Sequence, residues 1–137
     1  MIEAAVRLRQ DIRVELIAHA RQEYPNECCG LLVGAGLEID ECVRMANVDP
    51  RPASRYAIDP AAHIAVRRRL RGTPRSIIGC YHSHPAGPPV PSATDVAEAY
   101  YAEFVWVIVS AHGPHAGEIG AFRLHHGVVE AIGLETA

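Results

Sequence analysis

The apolar positions of this chain change period several times, and each change marks an element. Over residues 11–23, Ile12, Leu16, Ile17 and Ala20 recur at helical spacing, which predicts an amphipathic helix. Asp11 suits the partial positive charge of a helix start. Pro25 ends the helix, because the residue before a proline avoids helical angles. Residues 6–8 ahead of it read as a short strand. Residues 28–33 form an apolar run. Gly34-Ala35-Gly36 then reads as a tight turn into a second strand over 37–46. Two prolines make 47–54 a loop, and 55–58 reads as another short strand. Asp59-Pro60 opens a helix, with Asp as N-cap and Pro in the first turn, that runs to Leu70 and stops at Gly72. A strand over 76–81, a helix over 94–101 and a continuous apolar run over 104–109 follow. That last run predicts a central strand buried on both faces. Residues 118–124 and 128–132 read as a final hairpin around His125-His126-Gly127. The order of elements predicts one α/β domain over residues 1–137, with a mixed β-sheet flanked by helices.

Composition narrows the class. At 137 residues, 49% hydrophobic and 21% charged, the chain has the makings of an ordinary globular protein with its own core. A net charge of -3 argues against nucleic acid as a partner. All 13 basic residues are arginine. Arg67, Arg68, Arg69 and Arg71, with Arg75 nearby, are the one basic cluster. It reads as a solvated helix face, or more sharply as a docking patch for an acidic protein partner. The four cysteines (Cys28, Cys29, Cys42, Cys80) form no Cys-x-x-Cys and suggest buried thiols rather than a disulfide framework. There is no leader-like N-terminus and no apolar stretch of membrane-spanning length, so the expected location is cytoplasmic, without membrane contact.

The candidate chemistry lies between residues 79 and 95. His82 and His84 sit two apart at the end of a predicted strand, where residues i and i+2 point to the same side and Ser83 points away. Asp95 follows beyond a loop holding Pro85, Pro88, Pro89 and Pro91. Two imidazoles and one carboxylate make a three-ligand set that leaves a fourth position for water, the pattern of a hydrolytic rather than a structural zinc site. The residue types alone also fit surface histidines beside a capping box, with Ser92 as N-cap and Asp95 three positions on. Iron or manganese would suit the same ligands. Glu27, just after a turn, reads by itself as a solvated carboxylate. His112 and His115, separated by Gly and Pro, read as surface histidines of a loop. Cys80, Tyr81 and Ser83 are neighbours of the histidines by proximity alone.

His-Ser-His-Pro, six intervening residues and Ser-x-x-Asp resemble the signature of the JAMM/MPN+ (Mov34/PAD-1-like) metalloproteases. Glu27-Cys28-Cys29-Gly30-Leu31-Leu32 is similar to that family's Glu-x-Cys-Gly-Leu-Leu stretch. The chain looks closest to the short stand-alone bacterial members that act on ubiquitin-like sulfur-carrier proteins. The resemblance implies a fold with cytidine-deaminase-like layering. It also implies one Zn2+ per chain on His82, His84 and Asp95, with Glu27 as catalytic base and Ser92 assisting at the substrate oxygen. The implied reaction is hydrolysis after the C-terminal Gly-Gly of a sulfur carrier, releasing an extension or an amino-acid adduct. A homodimer is left open. The competing readings are a non-catalytic MPN-type interaction module and a JAMM peptidase with an unrelated peptide substrate.

Overall fold

A computed structural model describes residues 5–97, 104–125 and 128–136. Its elements run β1 (Ala5–Leu8), α1 (Gln10–Glu23), β2 (Cys29–Ala35), β3 (Glu38–Met45), α2 (Pro60–Leu70), β4 (Ser76–His84), α3 (Ala93–Ala97), β5 (Val105–Ser110), β6 (Ile119–His125) and β7 (Val128–Thr136). The strands form one mixed sheet in the order β1-β3-β2-β4-β5-β6-β7. Its parallel pairs are β1 with β3, β1 with β7, and β4 with β5. Because β1 pairs on both sides, the sheet rolls closed and neither end strand is left as a bare edge.

The alternation along the strands separates two faces. Leu32, Tyr81, Val105, Val107 and Val109 face α1 and join Ile12, Leu16 and Ala20 in the larger core. Leu31 and Val33 face the other way, against Val66 and Leu70 of α2. Trp106 and Ile108 also lie on that opposite face, with Phe122. All six residues of β5 are buried, as an apolar run flanked by two strands requires. His19 of α1 is buried too, and its Nδ1 shares a hydrogen bond of 2.8 Å with the Tyr81 hydroxyl. This ties α1 to the strand that carries the histidine pair. No helix among the described residues is long and apolar enough to cross a membrane.

Several boundaries differ from the sequence expectation. β2 continues through Ala35, so the turn falls at Gly36, which has φ 60. Residues 55–58 form no strand; a single bridge joins Asn47 to Ile58. Asn47 explains this: its side chain bonds the Glu27, Arg55, Ala57 and Asp49 backbones and holds the segment as a loop. Asp59 makes no side-chain cap bond on α2. β4 extends past the expected 76–81 to His84, so the histidines stand at the end of the strand, as expected. The far end of the helix expected over 94–101, and the turn at His126-Gly127, lie outside the described residues.

The β4–β5 pairing leaves no room at Gly79. A Cβ there would meet the Val105 carbonyl oxygen, which is backbone and cannot turn aside. Gly79→Ala is expected to cost ~1–3 kcal/mol of stability by overpacking, read as a lower urea midpoint. An unchanged midpoint would mean that the two strands pair with slack.

Candidate metal centre and its cavity

Strand geometry brings the first two residues together. His82 is paired with Cys29 on one side and Ile108 on the other, so it stands on the Trp106 face of the sheet, and His84 stands two residues on. Ser83 points to the opposite face. There its backbone N–H donates to Cys28 O (3.1 Å) and its Oγ accepts from the Cys28 N–H (2.8 Å). The residue between the histidines therefore clips the start of β2 to the end of β4. Glu27, one position before Cys28, is carried to the same corner.

Asp95 arrives from the other side of the proline loop on a capped helix start. The Ser92 N–H donates to Asp95 Oδ2 at 2.9 Å, and the Asp95 N–H donates back to Ser92 Oγ at 3.1 Å. This is the reciprocal capping box that the Ser-x-x-Asp spacing suggested. It aims the carboxylate inward, with only 8% of the side chain exposed.

The three groups converge. His84 Nε2 lies 3.0 Å and His82 Nε2 lies 3.2 Å from the same oxygen, Asp95 Oδ2. One potential ligand atom from each residue lies within 4.8 Å of the other two. The protonation of these atoms follows from their outer partners. His84 Nδ1 lies 2.9 Å from Pro88 O, and a carbonyl only accepts, so Nδ1 carries the proton. Nε2 of the neutral ring is then a lone pair facing a carboxylate. Nε2 of His82 is buried, and no hydrogen bond satisfies it among the described residues. Two imidazole nitrogens and a carboxylate oxygen are thus turned on one point. The donor set is therefore one that a divalent metal fits.

The titration tendencies agree. Burial depresses His82 and keeps it neutral, outweighing the contact with Asp95. At His84 burial also pulls down, but Asp95, the Pro88 carbonyl and Glu27 together raise the pKa. Burial alone would raise Asp95; the two histidines and the Ser92 N–H hold it well below the usual carboxylate range. The corner favours positive charge inside it. Glu27 is 5% exposed, and its charge is felt at His84. Its N–H donates to Pro52 O at 2.7 Å and its carbonyl accepts from Asn47 Nδ2 at 3.0 Å. It is a buried carboxylate beside the site, not the solvated turn residue that its sequence position suggests.

The other sequence candidates fall elsewhere. His115 pairs with Glu118 at 3.1 Å, and the His112 ring packs on Tyr24, so neither joins the convergent group. Burial pushes the Cys28, Cys42 and Cys80 thiols up to about 11 and Cys29 to about 12, which removes them as nucleophiles at neutral pH. Of the neighbours by proximity, Tyr81 faces α1, Ser83 forms the Cys28 clip, and Cys80 shares the His82 face. Two contributors gave no local signal. One is the Pro88 carbonyl. The other is Tyr56, whose ring stacks on His82 with centroids 4.4 Å apart and planes 18° apart, while its hydroxyl lies 3.8 Å from Cys80 Sγ.

Beside these groups opens a cavity of about 480 Å³, lined by Leu31, Tyr56, Cys80 and Trp106, with His63 and Asp95 also on its wall. An apolar recess with a few convergent polar groups is the usual form of a ligand site.

Comparison with known proteins adds the lineage. A model of the prokaryotic homologs of the JAB domain matches residues 9–125. The CysO-cysteine peptidase of Mycobacterium tuberculosis is 33% identical over 124 residues, covering 89% of this chain and 84% of that protein. The desampylase of Haloferax volcanii is 31% identical over 119 residues, covering 82% and 86%. Among solved structures, protein DSY2949 from Desulfitobacterium hafniense superposes with a TM-score of 0.85 at 29% identity, covering 96% of this chain and 92% of that one. A JAB1/MPN domain protein from Archaeoglobus fulgidus gives 0.62 at 18% identity, covering 98% and 99%, a likeness of fold.

The stacking of Tyr56 on His82 makes a direct prediction. Tyr56→Ala frees the imidazole and should weaken divalent-metal affinity ~10- to 100-fold, as loss of an outer support for a ligand does elsewhere. Tyr56→Phe keeps the ring and should stay near the parent value. Chelator competition measures both; equal affinity in the Ala variant would show that the stack does not hold His82.

Proposed function

Because the chain belongs to the prokaryotic homologs of the JAB domain, we propose that it is a zinc-dependent hydrolase. Its substrate is a ubiquitin-like sulfur-carrier protein, cut at the peptide or isopeptide bond after the C-terminal Gly-Gly. The observation that carries this reading is the convergence of His82, His84 and Asp95 on one point beside a buried Glu27. The substrate class is supported by the names of the relatives, a CysO-cysteine peptidase and a desampylase. An interaction module would have no need of three converging lone-pair donors held by dedicated partners.

His82, His84 and Asp95 would hold the metal. Zinc bound there supplies Lewis acidity and a water whose pKa is lowered to about 7. Glu27 accepts the proton of the attacking water and returns it to the leaving amine. Water adds across the bond, so the carrier leaves as a carboxylic acid and the extension or adduct as an amine. Ser92 Oγ already accepts from the Asp95 N–H, which leaves its own proton to donate to the developing oxyanion. The Pro88 carbonyl accepts a hydrogen bond from the Nδ1 proton of His84 and so would leave Nε2 to bind the metal. A Gly-Gly end suits a narrow approach, because only glycine lets backbone pass so close to buried side chains. The compartment proposed with this activity is the cytoplasm, in keeping with four cysteines that remain free thiols.

The test is metal content and cleavage measured on the same preparation. The parent chain is expected to carry about one zinc and to cut a Gly-Gly-extended sulfur-carrier fusion after the second glycine. Glu27→Gln should keep the zinc and lose turnover. Ser92→Ala should keep zinc and fold and turn over ~100- to 1000-fold more slowly, the usual loss for an oxyanion donor. His82→Ala and Asp95→Ala should lose zinc. Stoichiometric zinc in either would remove that residue from the ligand set, and full activity in Glu27→Gln would remove the general base.

A further inference from the structure

The structure divides the arginine cluster at the C-terminal end of α2. Arg69 Nη2 lies 3.0 Å from Glu41 Oε2, and Arg75 Nη2 lies 2.6 Å from Asp40 Oδ1 and 2.7 Å from Glu41 Oε1. The acids of β3 therefore answer those two cations. Arg67, Arg68 and Arg71 are exposed, and among the described residues no carboxylate pairs with them.

Arg67 and Arg71 line a second cleft of about 360 Å³ together with the paired Arg75, and Leu70 and Ile77 add apolar wall. One turn back along α2, His63 lines the cavity that also holds Asp95. Burial and then the charge of Arg67 lower the pKa of His63, so the two side chains are close enough to interact. His63 and Arg67 are four apart on one side of α2, and Arg71, its C-cap residue, follows at the same spacing. They run from the cavity beside the proposed metal centre to the second cleft. The seven helical steps from His63 to Leu70 rise about 10 Å, and with the step to Arg71 the span is one that an extended chain covers in about four residues.

Basic residues at a helix C-terminus need no partner, since they complement the helix dipole. Two features together set Arg67 and Arg71 apart: no carboxylate among the described residues answers them, unlike Arg69 and Arg75, and they line a cleft, unlike the equally unanswered Arg68. The stripe also runs on to the cavity. We propose that the Arg67–Arg71 stripe is the docking track for an acidic segment of the protein substrate, with carboxylates about four residues from the part of the chain held at the cavity. The hydrolase reading above supplies the identity of the occupant as the substrate's own chain. Exposed charges of this kind set register and encounter rate more than affinity, and their effect falls with salt.

The experiment separates docking from catalysis. A fluorescein-labelled peptide ending in Gly-Gly, with two glutamates about four residues upstream, and its glutamine twin are titrated with the metal-free full chain by anisotropy. The glutamate peptide is expected to bind at least ~5-fold tighter at low salt, with the preference fading at high salt. The double variant Arg67→Glu, Arg71→Glu should abolish the preference, and Arg67→Gln, Arg71→Gln should reduce it without reversing charge. Arg21→Glu, on α1, should change nothing. Equal binding of the two peptides, an undiminished preference in the double variant, or tighter binding of a single-stranded oligonucleotide than of the glutamate peptide would overturn the proposal. With a cleavable carrier fusion, the double variant should raise KM and leave kcat alone. If the parent chain cleaves no fusion, the hydrolase reading fails, and the peptide titration still decides whether the stripe binds acidic chain.

Discussion

The two-way hydrogen bond between Ser83 and Cys28 is the contact on which the site depends. Ser83 belongs to the strand of the histidines and Cys28 to the segment that delivers Glu27. The Cys28 N–H reaches Ser83 Oγ, and the Ser83 N–H reaches Cys28 O. Both groups are buried, so each polar atom would be costly if left alone. The pairing sets the register of β2 on β4, and the register sets where the carboxylate falls relative to the imidazoles. Alternation does the rest: with Ser83 committed to the α1 side, His82 and His84 have to stand on the other.

Around that clip each of the three converging side chains has its own support, drawn from a different part of the chain. His82 is stacked by Tyr56, His84 is bonded to the Pro88 carbonyl, and Asp95 is held by its capping box with Ser92. The Pro88 support is itself anchored, because Ser110 Oγ donates to the carbonyl of Gly87 next door at 2.7 Å. Glu27 takes its backbone partners from Asn47 and Pro52. Loops thus hold much of the chemistry, but loops pinned to β4 and β5, the buried middle of the sheet. Converging polar groups keep one geometry only where their supports are rigid, since they would otherwise turn apart.

The two faces of the sheet divide the work. The α1 face is sealed by the larger core and by the His19–Tyr81 bond. The α2 face carries the histidines, the cavity and the arginine stripe. Trp106 and Cys80 on that face are core residues and cavity wall at once. Core and cavity wall therefore share atoms, so a change in the cavity is felt in the fold.

Much was legible in the sequence because it is local. The helical period of α1, the apolar runs of β2 and β5, the same-side placement of His82 and His84, and the Ser92–Asp95 box each depend on residues only a few positions apart. The motif resemblance extended this to Glu27, whose position in the chain alone suggests a solvated turn. Tertiary structure decided what depends on distant partners. The short β1 closes the sheet because it finds both β3 and β7, and no pattern within Ala5–Leu8 announces that. Residues 55–58 lost their expected strand because Asn47 took their backbone groups, and that loop geometry brings Tyr56 onto a histidine 26 positions away in sequence. The division of the arginines into answered and unanswered was likewise hidden, since the acids that neutralise Arg69 and Arg75 lie on β3. Periodicity and capping are written in neighbouring residues, whereas the company a side chain keeps is set by which strands pair.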